Sequence, residues 1–322
     1  MPTHETGTVA VAGECVIDLV AVDGAYVPLP GGSPANVAVG LARLGVPTRM
    51  IARIGGDPFG RTLRDHLVGN GVGTETVVAA PEPSSVAFVH HDAEGVPSFD
   101  LRIAGTADWQ WTEAEVTGPH LEGLSALHIG SLALVMPPGA EVLAGLARRL
   151  RGEATITYDP NCRPAVMEGV PDARARIEVL LRLADVVKVS DADLRWLRPG
   201  RGHKGFADEL LSAGVSVVAV THGADGSVVT GPHCAPLRVP AHVTEVIDTT
   251  GAGDSYMSAL LAGLGRRGLL GAGRREELRS AGPSVLAAVV DEAARAASIT
   301  CSRQGADPPT RAELAAFRPS DV

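Results

Sequence analysis

The chain has 322 residues, with 28 Lys plus Arg against 37 Asp plus Glu, a net charge of −9. A surface this acidic excludes nucleic acid and anionic membranes as partners, because both need basic patches, and no stretch approaches the ~20 consecutive apolar residues of a membrane span. Apolar residues reach 45% while aromatics are only 3%, a mix that suits helices closely packed on a parallel sheet. The four cysteines, Cys15, Cys162, Cys234 and Cys301, are widely spaced without a CxxC pair, and the amino terminus lacks the pattern of a signal peptide. Reduced thiols in a cytoplasmic setting are the expectation.

In chain order, Val9–Ala12 reads as a first buried strand, followed by two weaker β-type runs over Val16–Val20 and Ala25–Leu29. Ser33–Leu44 reads as a helix, with Ser33 as its cap, Pro34 in its first turn and Gly45 at its end. A strand over Thr48–Ile54 and a helix over Asp57–Val68 follow. Ser85–His91 and Pro97–Arg102 form a hairpin pattern around Asp92-Ala93-Glu94-Gly95 that interrupts the alternation. With residues 14–30, residues 84–103 are expected to make a small β-lid inserted into a single domain spanning 1–322.

From Ala126 the alternation of strand and helix is regular: strands over 126–129, 154–158, 186–189 and 215–221, with helices over 139–149, 172–183, 192–197 and 206–213 between them. Ser227–Thr230 and Ala235–Val239 read as antiparallel additions, residues 265–282 as an exposed loop and Ser284–Ile299 as a helix. Repeated βαβ units predict a doubly wound, mostly parallel α/β sheet with helices on both faces. Ligands on such sheets lie at the carboxyl ends of the strands.

The most informative stretch is Asp248-Thr249-Thr250-Gly251-Ala252-Gly253-Asp254-Ser255, which follows the apolar run Val243–Ile247 and opens a helix over Tyr256–Leu264. Glycines at a helix entry let backbone N–H groups converge on an anion. A carboxylate beside such a hole is electrostatically awkward unless it takes a proton from a group that attacks the anion. That is the logic of phosphoryl transfer to a hydroxyl.

Other polar groups also fall just after predicted strands: Asp18; Gly31, Gly32, Ser33 and Asn36; Asp159, Asn161 and Arg163; Ser190 and Asp193; Thr221, Gly223, Asp225 and Gly226. Each has a local alternative. Asp18 reads equally as a turn cap, Asn161 with Arg163 as a surface ion pair, and Thr221 to Gly226 as a hairpin. Ser190 with Asp193 reads, taken alone, as a capping box.

The two glycine motifs together resemble the two signatures of the ribokinase-type (phosphofructokinase B-type) sugar kinases. Gly31-Gly32-Ser33-Pro34-Ala35-Asn36-Val37-Ala38 through Leu44-Gly45 is similar to the amino-terminal one, and Asp248 to Asp254 to the carboxyl-terminal one. The likeness covers nearly the whole chain. The stretch from Gly31 to Gly45, with Leu127-His128-Ile129-Gly130-Ser131 and Asp159-Pro160-Asn161-Cys162-Arg163-Pro164, looks most like fructokinases. The resemblance implies ATP-dependent phosphorylation of a sugar hydroxyl with Mg²⁺. Fructose is the sugar it favours, with 2-keto-3-deoxygluconate or ribose as alternatives and a non-catalytic sugar- or nucleotide-binding regulator as a third reading.

On that resemblance Asp254 is the general base, and Gly251, Ala252 and Gly253 form the anion hole. Asp18, Gly32, Ser33, Asn36, Asn161 and Arg163 would hold the sugar, with Arg102 reaching it from the lid. Ser190, Thr221, Gly223, Asp225 and Gly226 would face the nucleotide, with Asp193 acting on Mg²⁺ through water. Asp248, Thr250, Arg303 and Gly305 match a monovalent-cation (K⁺) site of many members, through backbone carbonyls except at Asp248. The family's usual Asn-x-x-Glu is Ser190-Asp191-Ala192-Asp193 here. A homodimer is expected, because exposed lid edges tend to be covered by another chain.

Overall fold

A computed structural model describes residues 7–22, 24–91, 97–242 and 244–318. The hairpin tip over 92–96, Val243 and the side chains of His90, His91, Pro97, Ser98 and Phe99 lie outside the described residues. The strands are β1 Val9–Ala12, β2 Val16–Val22, β3 Ala25–Gly31, β4 Thr48–Gly55, β5 Val77–Ala80, β6 Ser85–His91, β7 Pro97–Arg102, β8 Ala126–Gly130, β9 Thr155–Asp159, β10 Val186–Ser190, β11 Val217–Thr221, β12 Ser227–Gly231 and β13 Cys234–Val239. The helices are α1 Ser33–Arg43, α2 Pro58–Gly69, α3 Gly139–Leu150, α4 Pro164–Met167, α5 Ala173–Leu183, α6 Asp191–Leu197, α7 His203–Ser212, α8 Ala252–Arg266, α9 Arg275–Arg279, α10 Pro283–Cys301 and α11 Arg311–Ala316.

Nine strands make one sheet in the order β13-β12-β11-β10-β9-β8-β1-β4-β5. All neighbours in it are parallel except β11–β12 and β12–β13. Its central strands are buried on both faces, which is why they read as unbroken apolar runs, while the edge strands β5 and β13 are partly exposed. Val9, Val11, Val186, Val217 and Ala219 point into a core shared with α1, α8 and α10. Ala10, Ala12, Val187, Val189, Val218 and Val220 point into a second core with α3, α5 and α7. The doubly wound arrangement expected from the sequence is therefore the one present.

Four strands make a separate sheet in the order β3-β2-β6-β7, from the two segments that broke the alternation. Asp108 ties both of its entry points together: one carboxylate oxygen accepts from the Cys15 backbone N–H at 2.8 Å and the other from Ser85 Oγ at 2.6 Å. Burial pushes the Asp108 carboxyl up to about 7, with the nearby Glu14 carboxyl adding to it. Between the ordinary carboxylate range and pH 7 the folded protein thus keeps a proton that the unfolded chain has lost, so Asp108 weakens the fold progressively as pH rises through that window. A shift of this size is worth on the order of 4 kcal/mol. Asp108→Asn keeps an acceptor for Cys15 and does not titrate. Its melting temperature should therefore gain on wild type as pH goes from 4 to 7.5, and parallel melting curves for the two proteins would refute the assignment.

The structure departs from the sequence pattern in several places, β5, α4 and α11 being elements the pattern did not mark. Val246 and Ile247 are not strand residues but lie in an irregular stretch, 63% and 62% exposed, so the carboxyl-terminal glycine motif follows a loop. Residues 265–282 are not one loop: α8 runs to Arg266, and a 3₁₀ turn at Ala272–Arg274 leads into α9. Ser33 does not cap α1; Gly32 is the cap residue, with no side-chain hydrogen bond.

Candidate functional site

Two helix amino termini, those of α1 and α8, meet beside the carboxyl ends of the parallel strands. Gly40 on α1 brings them together, since a Cβ there would stand 2.4 Å from Ser258 Oγ on α8. At this separation the Ser33 hydroxyl donates to Asp254 Oδ1 at 2.6 Å, while Asn36 Nδ2 donates to Oδ2 at 2.9 Å. Asp254 is buried in the first turn of α8, directly after the turn formed by Gly251, Ala252 and Gly253. The amino-terminal glycine motif thus reaches the carboxyl-terminal one through two hydrogen bonds to a single carboxylate.

The approach to α1 is equally constrained. Gly32 has φ +99°, and a Cβ on it would stand 2.6 Å from the Glu14 carbonyl oxygen. Asp18 lies on β2 of the small sheet, partly buried, its carboxyl pushed up to about 6 by burial against an opposing pull from Arg163. Arg163 follows β9 and donates from one guanidinium nitrogen to Asn161 Oδ1 at 2.8 Å. Asn161 has φ +38°, fixed partly by its backbone N–H donating to Asp159 Oδ1 at 3.1 Å. The Arg163 charge thus acts on Asp18, a residue of the small sheet, from the loop between β9 and α4.

Arg102 does not join them. Register pairs Asp18 with Ala87 and Ala87 with Leu101, whereas Arg102 pairs with Val86 and Val86 with Ile17. Directly paired residues share a face, so Arg102 stands on the face opposite to Asp18. It is 66% exposed and ion-paired with Asp100 at 2.7 Å. Its expected sugar contact is withdrawn.

Of the residues expected to face a nucleotide, Ser190 and Thr221 are register partners at the ends of β10 and β11. Gly223 and Asp225 lie exposed in the following 3₁₀ turn, closed by the His222 N–H donating to the Gly226 carbonyl at 2.7 Å. The Ser190–Asp193 capping box is present. Asp193 accepts from the Ser190 N–H, the Ser190 hydroxyl and the Cys162 N–H, at 2.8, 2.6 and 2.7 Å. Its two oxygens are largely engaged by the protein, with about one of their roughly four acceptor positions left over.

The expected cation-site residues gather in part. Asp248 accepts from Thr250 N–H at 2.8 Å, from Thr250 Oγ1 at 2.7 Å and from Gly305 N–H at 2.8 Å. The Arg303 side chain turns away, bonding Asp307 at 3.1 Å and Glu313 at 2.5 Å.

Lys188 was not anticipated. It sits on β10, buried, with Nζ 2.8 Å from Asp159 Oδ2. A Cβ on Gly253 would stand 3.0 Å from that same Nζ. Burial opposes the ammonium, but Asp159, Asp193 and Asp254 together raise its pKa. The sequence did carry a signal, a lone cation inside the apolar run Val186-Val187-Lys188-Val189, since lysine is almost never fully buried unless paired.

A family model described as pfkB family carbohydrate kinase matches residues 7–313. The fructokinase of Rhizobium leguminosarum bv. trifolii is 33% identical over 265 residues, 80% of each chain. A fructokinase variant from Vibrio cholerae O395, solved with fructose, ADP and potassium ion, superposes with a TM-score of 0.84 at 27% identity, covering 97% of this chain and 98% of that one. Fructokinase from Xylella fastidiosa with bound ATP gives a TM-score of 0.88 at 26% identity over 96% and 97% of the two chains. The chain belongs to the pfkB family of carbohydrate kinases. It is an ATP-dependent sugar kinase. Among the described residues, no helix is long and apolar enough to cross a membrane.

Proposed function

We propose that the chain phosphorylates fructose, giving fructose 6-phosphate, with Asp254 as general base. The observation that carries the reading is the carboxylate of Asp254 at the head of α8, beside the Gly251–Gly253 turn and bridged to Ser33 and Asn36. A sugar hydroxyl placed at Asp254 gives up its proton to the carboxylate as its oxygen bonds the γ-phosphorus. The bond from that phosphorus to the β,γ-bridging oxygen breaks, and ADP leaves with the electron pair. The amides of the Gly251–Gly253 turn stabilise the charge on the transferring group. Asp18, Asn36, Asn161 and Arg163 hold the sugar, with the four-stranded sheet as a lid over it. Ser190 and the Thr221–Gly226 turn face the nucleotide.

The residues present fit a divalent cation carried by the nucleotide. Lys188 is outnumbered by the carboxylates of Asp159, Asp193 and Asp254 around it, so a triphosphate needs further positive charge here. Among the described residues no three acidic, His or Cys side chains form a cage. Phosphate oxygens, water and the remaining acceptor position of Asp193 would hold Mg²⁺, the usual manner for that ion. Bound there, it neutralises charge on the β- and γ-phosphates. K⁺ beside Asp248, Thr250 and Gly305 is supported by the Vibrio relative's potassium ion.

A coupled ADP-release assay over fructose, 2-keto-3-deoxygluconate, ribose, glucose and adenosine tests the substrate. Fructose should give the highest kcat/KM, and a tenfold preference for another acceptor would displace it. A second measurement follows from Asp18. Ionised, its carboxylate accepts from sugar hydroxyls through both oxygens with charge assistance; protonated, one oxygen becomes a donor and that assistance is lost, and burial sets the ionisation near 6. KM for the sugar should therefore rise as pH falls from 7.5 to 5, and Asp18→Asn should show a high KM with little pH dependence. A wild-type KM that is flat across this range would remove Asp18 from the sugar site.

Exposed Val22, Tyr26 and Val27 on β2 and β3 support a homodimer through the small sheet, which light scattering would show as twice the chain mass. Four free cysteines support a reducing, cytoplasmic setting.

A further inference from the structure

We propose that Lys188 is a positioning residue whose buried ammonium charges the anion hole. The inference rests on the reading of Asp254 and the Gly251–Gly253 turn given above. Its own basis is geometric. Nζ is 2.8 Å from Asp159 Oδ2 and stands where a Cβ on Gly253 would come within 3.0 Å. The end of the Lys188 side chain therefore lies in contact range of Gly253 in the turn. An ammonium held there without solvent raises the local potential at the turn's N–H groups more strongly than it would in water.

The groups around the ammonium fall into two kinds. Asp159, Asp193 and Asp254 face it as carboxylates. His128 on β8 is held down to about 3 by burial, with Lys188 adding to that, so it is neutral and contributes no second charge. Its Nδ1 is 3.0 Å from Thr157 Oγ1. Tyr256 on α8 is pushed up to about 12 by burial, with Lys188 pulling the other way, so it is neutral as well. Within this group of residues Lys188 is thus the single cation, and its neighbours are acidic or uncharged. A purely structural lysine needs only Asp159. This one is shared with the residue that takes the proton.

Removing Lys188 alone would leave Asp159 buried without its cation, which risks the fold. The test therefore compares Asp159→Asn with the double variant Asp159→Asn, Lys188→Met. Neither holds an unpaired carboxylate at position 159. The asparagine side chain still offers an oxygen to the Asn161 N–H, while its amide nitrogen replaces the carboxylate oxygen facing Lys188, so Asp159→Asn serves as the reference against which the double variant is read, whatever its own kcat. The double variant should lose kcat by about 10- to 10²-fold, with sugar KM within about threefold of Asp159→Asn. A general loss of packing would raise sugar KM along with lowering kcat. Equal kcat in the two variants, or a kcat loss matched by a rise in KM, overturns the role of Lys188. Asp254→Asn is assayed beside them. If it stays fast, the reading of the base falls and this inference falls with it. If it is slow while the pair are equal, only Lys188 is wrong.

Discussion

Asp254→Asn should lower kcat by about 10²–10⁴-fold while leaving the fold and sugar affinity close to wild type. The substitution removes the proton acceptor and almost no volume. The asparagine side chain keeps Oδ1 as an acceptor for the Ser33 hydroxyl, the donor now held at 2.6 Å. The other side of the group becomes a donor facing Asn36 Nδ2, at present 2.9 Å from the carboxylate. Asn36 can answer by turning its amide to present oxygen, so the contact survives in reversed polarity. The stability cost is therefore that of one altered hydrogen bond, about 1 kcal/mol. Turnover by ADP release, melting temperature and sugar binding by calorimetry separate the three effects. Wild-type-like turnover would sink Asp254 as the base. Lost sugar binding would instead make Asp254 primarily a binding group.

What could be read locally from the sequence was what local rules decide. The central strands of the large sheet are buried on both faces and announce themselves as apolar runs. The glycine turn before α8 announces itself because only a few residue types can make it. Where distant groups compete, local rules lost. Ser33 looked like a helix cap, but Gly32, with φ +99°, takes the cap position, and a carboxylate 221 residues away takes the Ser33 hydroxyl. Ser190 and Asp193 compete with nothing so strong and remain the capping box that spacing suggests. Val246 and Ile247 satisfy the pattern of a strand yet have no strand beside them and stay exposed. β5, four residues like β1, lies at the sheet edge with only its last residue buried and is followed by the lid strand β6 rather than by a helix, so it falls outside the strand–helix alternation. Lys188 was visible as an oddity, but its neighbours Asp159 and Gly253 come from two other elements. Only the parallel register that puts β9 beside β10 brings the first of them within reach. Arg102 failed for the opposite reason: a hairpin places it near the site in sequence, while the two-residue period of the strand sends it to the far face.

Gly251→Ala should cost about 10²–10³-fold in kcat, with sugar KM little changed, because it disturbs the turn whose amides face the transferring charge. Two independent penalties act at this position. Gly251 has φ +73°, a left-handed conformation that costs an ordinary residue roughly 1–2 kcal/mol. A Cβ there would also stand 2.5 Å from Ala306 Cβ and 2.8 Å from Ala306 Cα. The second of these atoms is backbone and cannot be moved aside by turning a side chain, so the loop carrying Gly305 and Ala306 must shift or the turn must open. Gly305 N–H donates to Asp248 at 2.8 Å, which links any such shift to the other end of the motif. Ala306→Gly combined with Gly251→Ala should recover only part of the loss, since it removes the methyl group at 306 and leaves both the backbone clash and the left-handed strain. Gly253→Ala is the matched control. No left-handed φ is required there, and the atom its Cβ would meet is the tip of the Lys188 side chain at 3.0 Å. It should therefore fall well short of the Gly251→Ala loss. Equal losses at the two glycines would mean that the turn responds to any added methyl group. A larger loss at Gly251, measured as kcat on protein of confirmed melting temperature, would show that the shape of the turn sets the rate.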